Sequence, residues 1–426
     1  MPTDVFSSDS ANADLPAVAV ESVEALAEVV RDTRVTNTPL RVAGAGTWMD
    51  AGRAVQAGRL VSLRALTGIL EYVPGDLTIT ALAGTSHAEL DAITAGEGQW
   101  IPLDPIGGTI GTIGATIATG SAGPLAATSG MPRDVILGID AVLGQGDAIK
   151  AGGRVVKNVA GFDLVRLLTG SWGTLGIITA VSLRLRARPQ MDETVAVRIP
   201  DSATELAGFL QQITSLPLEM SACELVSPVL ATRLGVGDDS AMLMRFMGSE
   251  ASVTAQLTAV SAALPGAMNC SREAWNRLGE GDAQSTAAIR WSVARANLPA
   301  LWHAARNAEA SIGGAASHAT VARGVVRQVA PVGNEEALLA AWSSVSRSGA
   351  DTHSSGFASG TSAQVTTVGE RMPQPLWSVL CPTSVNDRLS TGIRDAFDPD
   401  RLLNRGILSE ALPVAITMTQ GGGSDA

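Results

Sequence analysis

The stretch from Asp104 to Gly123, DPIGGTIGTIGATIATGSAG, constrains this chain more than any other. Within it, the run Gly107-Gly108-Thr109-Ile110-Gly111-Thr112-Ile113-Gly114 puts four glycines into eight residues. Missing side chains bare one edge of the backbone, so a flat or extended ligand can lie against it. Thr109 and Thr112 add hydroxyls beside that edge. The alternative use of such glycines is tight helix–sheet packing. Either way, the run reads as too glycine-rich for an ordinary buried helix.

Two further segments share this character. Arg41-Val42-Ala43-Gly44-Ala45-Gly46-Thr47 reads as a strand, Leu40 to Ala43, ending in a glycine loop. Successive bare N–H groups in such a loop form a concave nest suited to a diphosphate, and Thr47 can add a hydroxyl donor. A glycine turn without function is the plain alternative. The loop is not a Rossmann fingerprint, because GxGxxG is incomplete and no acid follows at the expected place. The third segment runs from Gly152 to Thr179, GGRVVKNVAGFDLVRLLTGSWGTLGIIT. Asp163 suits the N-terminal end of a short helix over Leu164–Leu168, and Gly170 to Gly176 makes a tight turn into a strand.

Composition narrows the classes of function. At 426 residues the chain is long enough for two or three domains. Its 46% hydrophobic content fits large cores, and its net charge of −11 disfavours nucleic acid and offers no polybasic membrane anchor. Cys223, Cys270 and Cys381 are scattered, so neither a zinc ribbon nor an iron–sulfur cluster is expected from this chain. MPTDVFSSDSANADL lacks the basic and apolar regions of a signal peptide, and no apolar run approaches a membrane span. A cytoplasmic location is expected, peripheral at the inner membrane where partners dock it.

Along the chain, Ser22 caps an expected helix to about Thr33, and Ser86 caps one to about Thr94. Leu60–Leu63, Ile69–Val73 and Leu77–Leu82 read as strands, with Pro74-Gly75-Asp76 as a turn. Val135–Leu143 and Ala148–Lys150 read as a hairpin. From Ile177 the alternation of apolar and polar residues predicts a half-solvated strand. After Arg188-Pro189, residues 191–385 alternate strand and helix: Val195–Ile199, Ala203–Ile213, Ala241–Met247 and Val253–Leu264. Residues 350–365 read as a loop, and Ile393–Leu408 as a short ordered tail. No internal repeat is evident in the sequence.

The three glycine segments, in this order and spacing, resemble the vanillyl-alcohol-oxidase-type (PCMH-type) FAD domain. KNVAGFDLVRLLTGSWGTLG (Lys157 to Gly176) is similar to the FAD-binding E subunit of bacterial glycolate oxidase. So are SAGP (Ser121 to Pro124), Pro132 to Gly138 and Phe397-Asp398-Pro399; GGAASHAT (Gly313 to Thr320) resembles a motif of its cap. The resemblance implies an α+β protein. A PCMH-type FAD-binding domain of two α/β subdomains spans 16–190, an α+β (ferredoxin-like) cap 191–385, and 386–413 returns to the FAD domain. Residues 1–15 and 414–426 are tails. It implies FAD contacts from Gly44, Ala45, Gly46, Thr47 and Trp48. It extends them to Gly108, Thr109, Gly111, Thr112 and Gly114, and to Lys157, Asn158, Gly161, Asp163, Gly176, Ile177 and Ile178. No histidine lies near Thr47, so the flavin is expected to be non-covalent. The closely spaced metal-binding histidines of the D-type relatives are absent from the sequence, and Trp172 stands where those relatives usually carry Glu, so no metal is expected.

Oxidising a 2-hydroxy acid needs a cation for the carboxylate and a base for the hydroxyl proton. Arg290, Arg323 and Arg327 fall in predicted strands and His318 at a strand start; His318, Arg290 and Arg323 are the catalytic candidates. Surface solvation for the arginines and a simple hydrogen-bonded role for His318 are the alternatives. The resemblance implies an FAD-binding subunit that works with a D-type catalytic flavoprotein and an iron–sulfur subunit to convert glycolate to glyoxylate. A self-sufficient FAD-dependent dehydrogenase of a 2-hydroxy acid or alcohol, and a non-catalytic structural partner, are the two other readings.

Overall fold

A computed structural model of the chain describes residues 15–153, 163–280, 286–348, 364–382 and 385–409. Lys157, Asn158 and Gly161, and nearly all of the expected loop at 350–365, lie outside the described residues.

The first part is built on two sheets. Strands β1 (Ala17–Ala19), β2 (Leu40–Ala43) and β3 (Arg59–Ser62) form a parallel sheet in the order β1-β3-β2. The helix Val23–Thr36 links β1 to β2; the Ser22 hydroxyl accepts the Ala25 N–H at 3.1 Å and starts it. Strands β4 (Ile69–Val73), β5 (Thr78–Leu82), β7 (Ile136–Val142), β8 (Ala148–Gly152) and β9 (Ile177–Arg184) make an antiparallel sheet ordered β4-β5-β9-β7-β8. A short pair joins β6 (Gln99–Trp100) to β10 (Arg186–Ala187).

Two expectations are corrected here. Strand β9 is not half-solvated: it lies at the centre of its sheet, and Ile177 to Val181 are all buried. Ile178 and Ala180, on its second face, pack rather than meet water. Ile113–Thr119 is a buried helix after all, with Ile113 and Ile117 fully covered. Gly114 makes this possible, since a Cβ there would come within 2.5 Å of the Ala83 Cβ. The glycine that lowers helix propensity is the one that lets this helix touch the sheet.

The C-terminal stretch packs back onto this first core. Leu40 N–H donates to Leu402 O at 2.8 Å, and Leu403 is fully buried beside Leu40. The buried Asp398 carboxylate accepts the Leu402 and Leu403 N–H groups at 3.1 and 3.0 Å and pairs with Arg394 at 3.1 Å.

Eight antiparallel strands form the other large sheet: β11 (Met191–Arg198), β12 (Ala222–Val226), β13 (Ala241–Gly248), β14 (Met268–Cys270), β15 (Thr286–Ser292), β16 (Ala316–Thr320), β17 (Val325–Pro331) and β18 (Thr366–Arg371). Their order is β14-β11-β13-β12-β16-β17-β15-β18. Each half is a βαββαβ unit with its first strand next to its fourth and third, a ferredoxin-like arrangement. The halves meet edge to edge through β12 and β16, where Glu224 faces Thr320, Leu225 faces Ala319 and Val226 faces His318. The sheet is therefore a structural repeat, one that is not evident in the sequence. The strand registers of the halves correspond apart from a shift between Ala288 and Ile289 in the β15–β18 pair. One face of the sheet is apolar and covered by helices, with Trp291 and Trp342 meeting edge to face at 6.4 Å. The other face turns toward the glycine-rich part of the chain. No helix among the described residues is long and apolar enough to cross a membrane.

Candidate functional site

Two clefts meet near the loop Gly107–Gly111. The narrower, about 100 Å³, is floored by the β2 end and its loop, Gly44-Ala45-Gly46-Thr47-Trp48. Thr112, Gly114, Ile177 and Ile178 also line it. Sequence reading thus named nine residues that the fold brings to one place. Gly46 has φ +81°, a left-handed conformation that glycine adopts without strain. Gly44 has no room for a side chain, because a Cβ would collide with the Thr112 hydroxyl. Among the described residues, the N–H groups of Ala45, Gly46 and Thr47 donate to no protein acceptor, and the buried Trp48 Nε1 has no partner. Donors left open in a concave loop fit an anionic diphosphate.

Sequence reasoning missed other parts of this cleft. Trp172 lines it and stacks on Trp48, ring centroids 6.3 Å apart. Its φ of +56° is unusual for a bulky residue; its carbonyl is held by Asn404 Nδ2 at 2.7 Å, and Asn404 Oδ1 accepts the Val42 N–H at 2.9 Å. Asn404 also lines the cleft, so the C-terminal stretch helps to build it. Nothing in the local sequence around Asn404 signals this. Arg41 supplies positive charge from below, donating to Met49 O at 3.0 Å, with burial lowering its pKa to about 10.

The loop between the clefts is pinned on both sides. His87 and Ala88 N–H groups, at the start of the helix His87–Ala95, donate to Gly111 O and Thr109 O at 3.1 and 2.9 Å. Gly107 N–H donates to Gly279 O at 3.0 Å, tying the loop to the part of the chain that follows β14. Gly108 and Thr109 face the wider cleft, whereas Gly111 lies beneath Gly108 near the Thr47 hydroxyl. Asp163 and Gly176 line neither cleft. Asp163 caps the helix Leu164–Leu168 by accepting the Arg166 N–H at 3.0 Å, and Gly176 packs on Leu143 and Leu168.

The wider cleft, about 630 Å³, lies between this loop and the polar face of the eight-stranded sheet. His318, Arg290, Arg323 and Arg327 all line it. His318 is in the middle of β16, not at its start, and Arg323 is not in a strand but ends the tight turn Val321–Arg323. Arg290 and Arg327 face each other across β15 and β17 and share one acid: Glu370 lies 2.7 Å from Arg327 Nε and 3.5 Å from Arg290. Arg323 is half-buried and forms no ion pair among the described residues. Burial first and the nearby Arg290 second lower its pKa, while Glu224 and Asp104 oppose them. A cation with another cation beside it and no acid of its own is suited to an incoming anion. His318 Nδ1 lies 2.8 Å from Oε2 of Glu224, a fully buried acid that sequence reasoning missed. The signal was present: one charge inside the apolar run Ala222-Cys223-Glu224-Leu225-Val226.

Two groups on this cleft, the buried His87 and the partly buried Asp104, titrate in opposite senses. Burial raises the Asp104 carboxyl to about 7, against the pull of the Leu125 N–H 2.8 Å away. Burial lowers His87 to about 4. Between about pH 4 and 7, folded Asp104 keeps a proton that the unfolded chain gives up, so its contribution to stability falls as pH rises. Between about pH 4 and 6.5, folded His87 stays neutral where the unfolded chain protonates, so its contribution rises. In thermal melting these two contributions therefore partly cancel. Asp104→Asn should tilt the melting curve upward with pH relative to the wild type, by up to about 1.4 kcal/mol per pH unit. A variant with the wild type's pH dependence would contradict the assignment.

A mixed fold with an open glycine cradle beside an arginine-lined cleft suits an FAD-dependent oxidoreductase. Residues 16–152 match the family "FAD binding domain", and the chain carries such a domain. The chain is similar to glycolate oxidase subunit GlcE of Escherichia coli, 34% identical over 54% of this chain and 62% of that protein. It is also similar to glycolate oxidase subunit GlcD of Bacillus subtilis, 32% identical over 42% of this chain and 38% of that one. Less than two thirds of each relative's length is thus matched. In fold it is similar to 4-ethylphenol oxidase from Gulosibacter chungangensis, TM-score 0.67 at 15% identity, covering 93% of this chain and 89% of that structure.

Proposed function

We propose that the protein is an FAD-dependent oxidoreductase subunit acting on a small 2-hydroxy acid, converting glycolate to glyoxylate. One observation carries this reading: Arg290, Arg323, Arg327 and His318 converge on a cleft bordered by the glycine loop. In this reading Gly44 to Trp48, Thr112, Gly114, Ile177 and Ile178 hold the FAD diphosphate and neighbouring atoms without a covalent bond. Gly108, Thr109 and Gly111 lie toward the ring system. Arg323 and Arg290 bind the substrate carboxylate, and His318 accepts the hydroxyl proton. Bound FAD supplies the two-electron acceptor for the hydride that leaves Cα. The loop Gly107–Gly111 keeps solvent from the side of the cleft it closes.

We divide the chain functionally into an FAD-binding unit over 16–190, a cap over 191–385 and a returning segment over 386–413. The likeness to two glycolate oxidase subunits supports work within a complex containing a D-type flavoprotein and an iron–sulfur subunit, which could hold it at a membrane. Glycolate or D-lactate added anaerobically to the purified chain should bleach its flavin absorbance if it is self-sufficient. Bleaching only after a D-type subunit is added supports the complex. Absence of bleaching in both cases would contradict the reading.

A further inference from the structure

We propose that Glu224 is a positioning residue that fixes the tautomer of His318, placing the proton on Nδ1 and leaving Nε2 as the base. This rests on the reading of His318 as proton acceptor. The geometry is specific. Glu224 is fully buried on β12, and its Oε2 lies 2.8 Å from His318 Nδ1. An ionised carboxylate oxygen only accepts, so with Glu224 ionised the ring nitrogen donates. The two residues are 94 apart in sequence and occupy equivalent places in the duplicated halves, one on each central strand. The sheet's seam therefore holds their backbones rigidly. Glu224 Oε1 is buried without a hydrogen-bond partner among the described residues, so His318 is the group this carboxylate holds directly, with the charge of Arg323 nearby. A buried acid costs stability unless it is used, and a fixed histidine tautomer is such a use.

The full FAD-loaded chain with 15N-labelled histidine tests this directly. Its His318 signal, assigned by its loss in His318→Gln, should show a protonated Nδ1 and a bare Nε2. A proton on Nε2 in the wild type overturns the proposal without any variant of Glu224. Glu224→Leu, similar in volume, should lose the fixed tautomer, whereas Glu224→Gln keeps a carbonyl in reach and should retain it. In turnover, Glu224→Leu should lower kcat about 30-fold with KM unchanged within twofold, and Glu224→Gln should recover part of the loss. Equal changes in kcat and KM, or lost FAD, would mark a structural role and overturn the proposal. If His318→Gln oxidises substrate normally, or the wild type oxidises none, the functional reading fails, while the tautomer measurement still decides the role of Glu224.

Discussion

Gly46→Val is expected to give a folded, colourless protein that takes up no added FAD. Gly46 has φ +81°, which a β-branched residue adopts only at a cost of about 1–2 kcal/mol or more. The larger effect is local: a branched side chain enters the loop whose Ala45, Gly46 and Thr47 N–H groups are left open. Thermal melting should change little, because the loop contributes nothing to either large core cluster. Flavin absorbance after dialysis against FAD is the measurement. Normal content would remove the cradle from the loop.

Arg323→Leu is expected to raise KM for a 2-hydroxy acid about 100-fold, equivalent to about 2.7 kcal/mol of lost charge-assisted hydrogen bonding. FAD content should not change, since Arg323 lines the wider cleft alone. Arg290 and Arg327 are less decisive, because Glu370 already balances part of their charge. Steady-state kinetics with D-lactate or glycolate, in the chain or its complex, gives the result. A KM within threefold of the wild type would move the carboxylate site elsewhere.

Local signals in the sequence carried far where the physics is local. Ser22 and Ser86 start helices as capping chemistry predicts, and Leu40–Ala43 runs into its glycine loop as expected. The alternation over Ile177–Arg184 misled, because a period of two does not reveal what covers the second face. Ile113–Thr119 misled in the opposite sense, since one glycine that weakens a helix in isolation was selected by its contact with Ala83. The candidates His318, Arg290 and Arg323 were legible as residue types, but their convergence depends on long-range strand order. Asn404 and Glu224 were not found at all, and Trp172 was noted without its place in the cleft: each acts through a partner between 94 and 362 residues away.

The seam of the duplicated sheet has a chemical implication. Two identical halves joined about a twofold would set like against like at this position, acid near acid or imidazole near imidazole, and neither pair would distinguish an orienting acceptor from an oriented imidazole. One fixed tautomer needs the halves to differ. The divergence that hides the repeat from sequence comparison is thus also what gives the centre of the sheet its polarity.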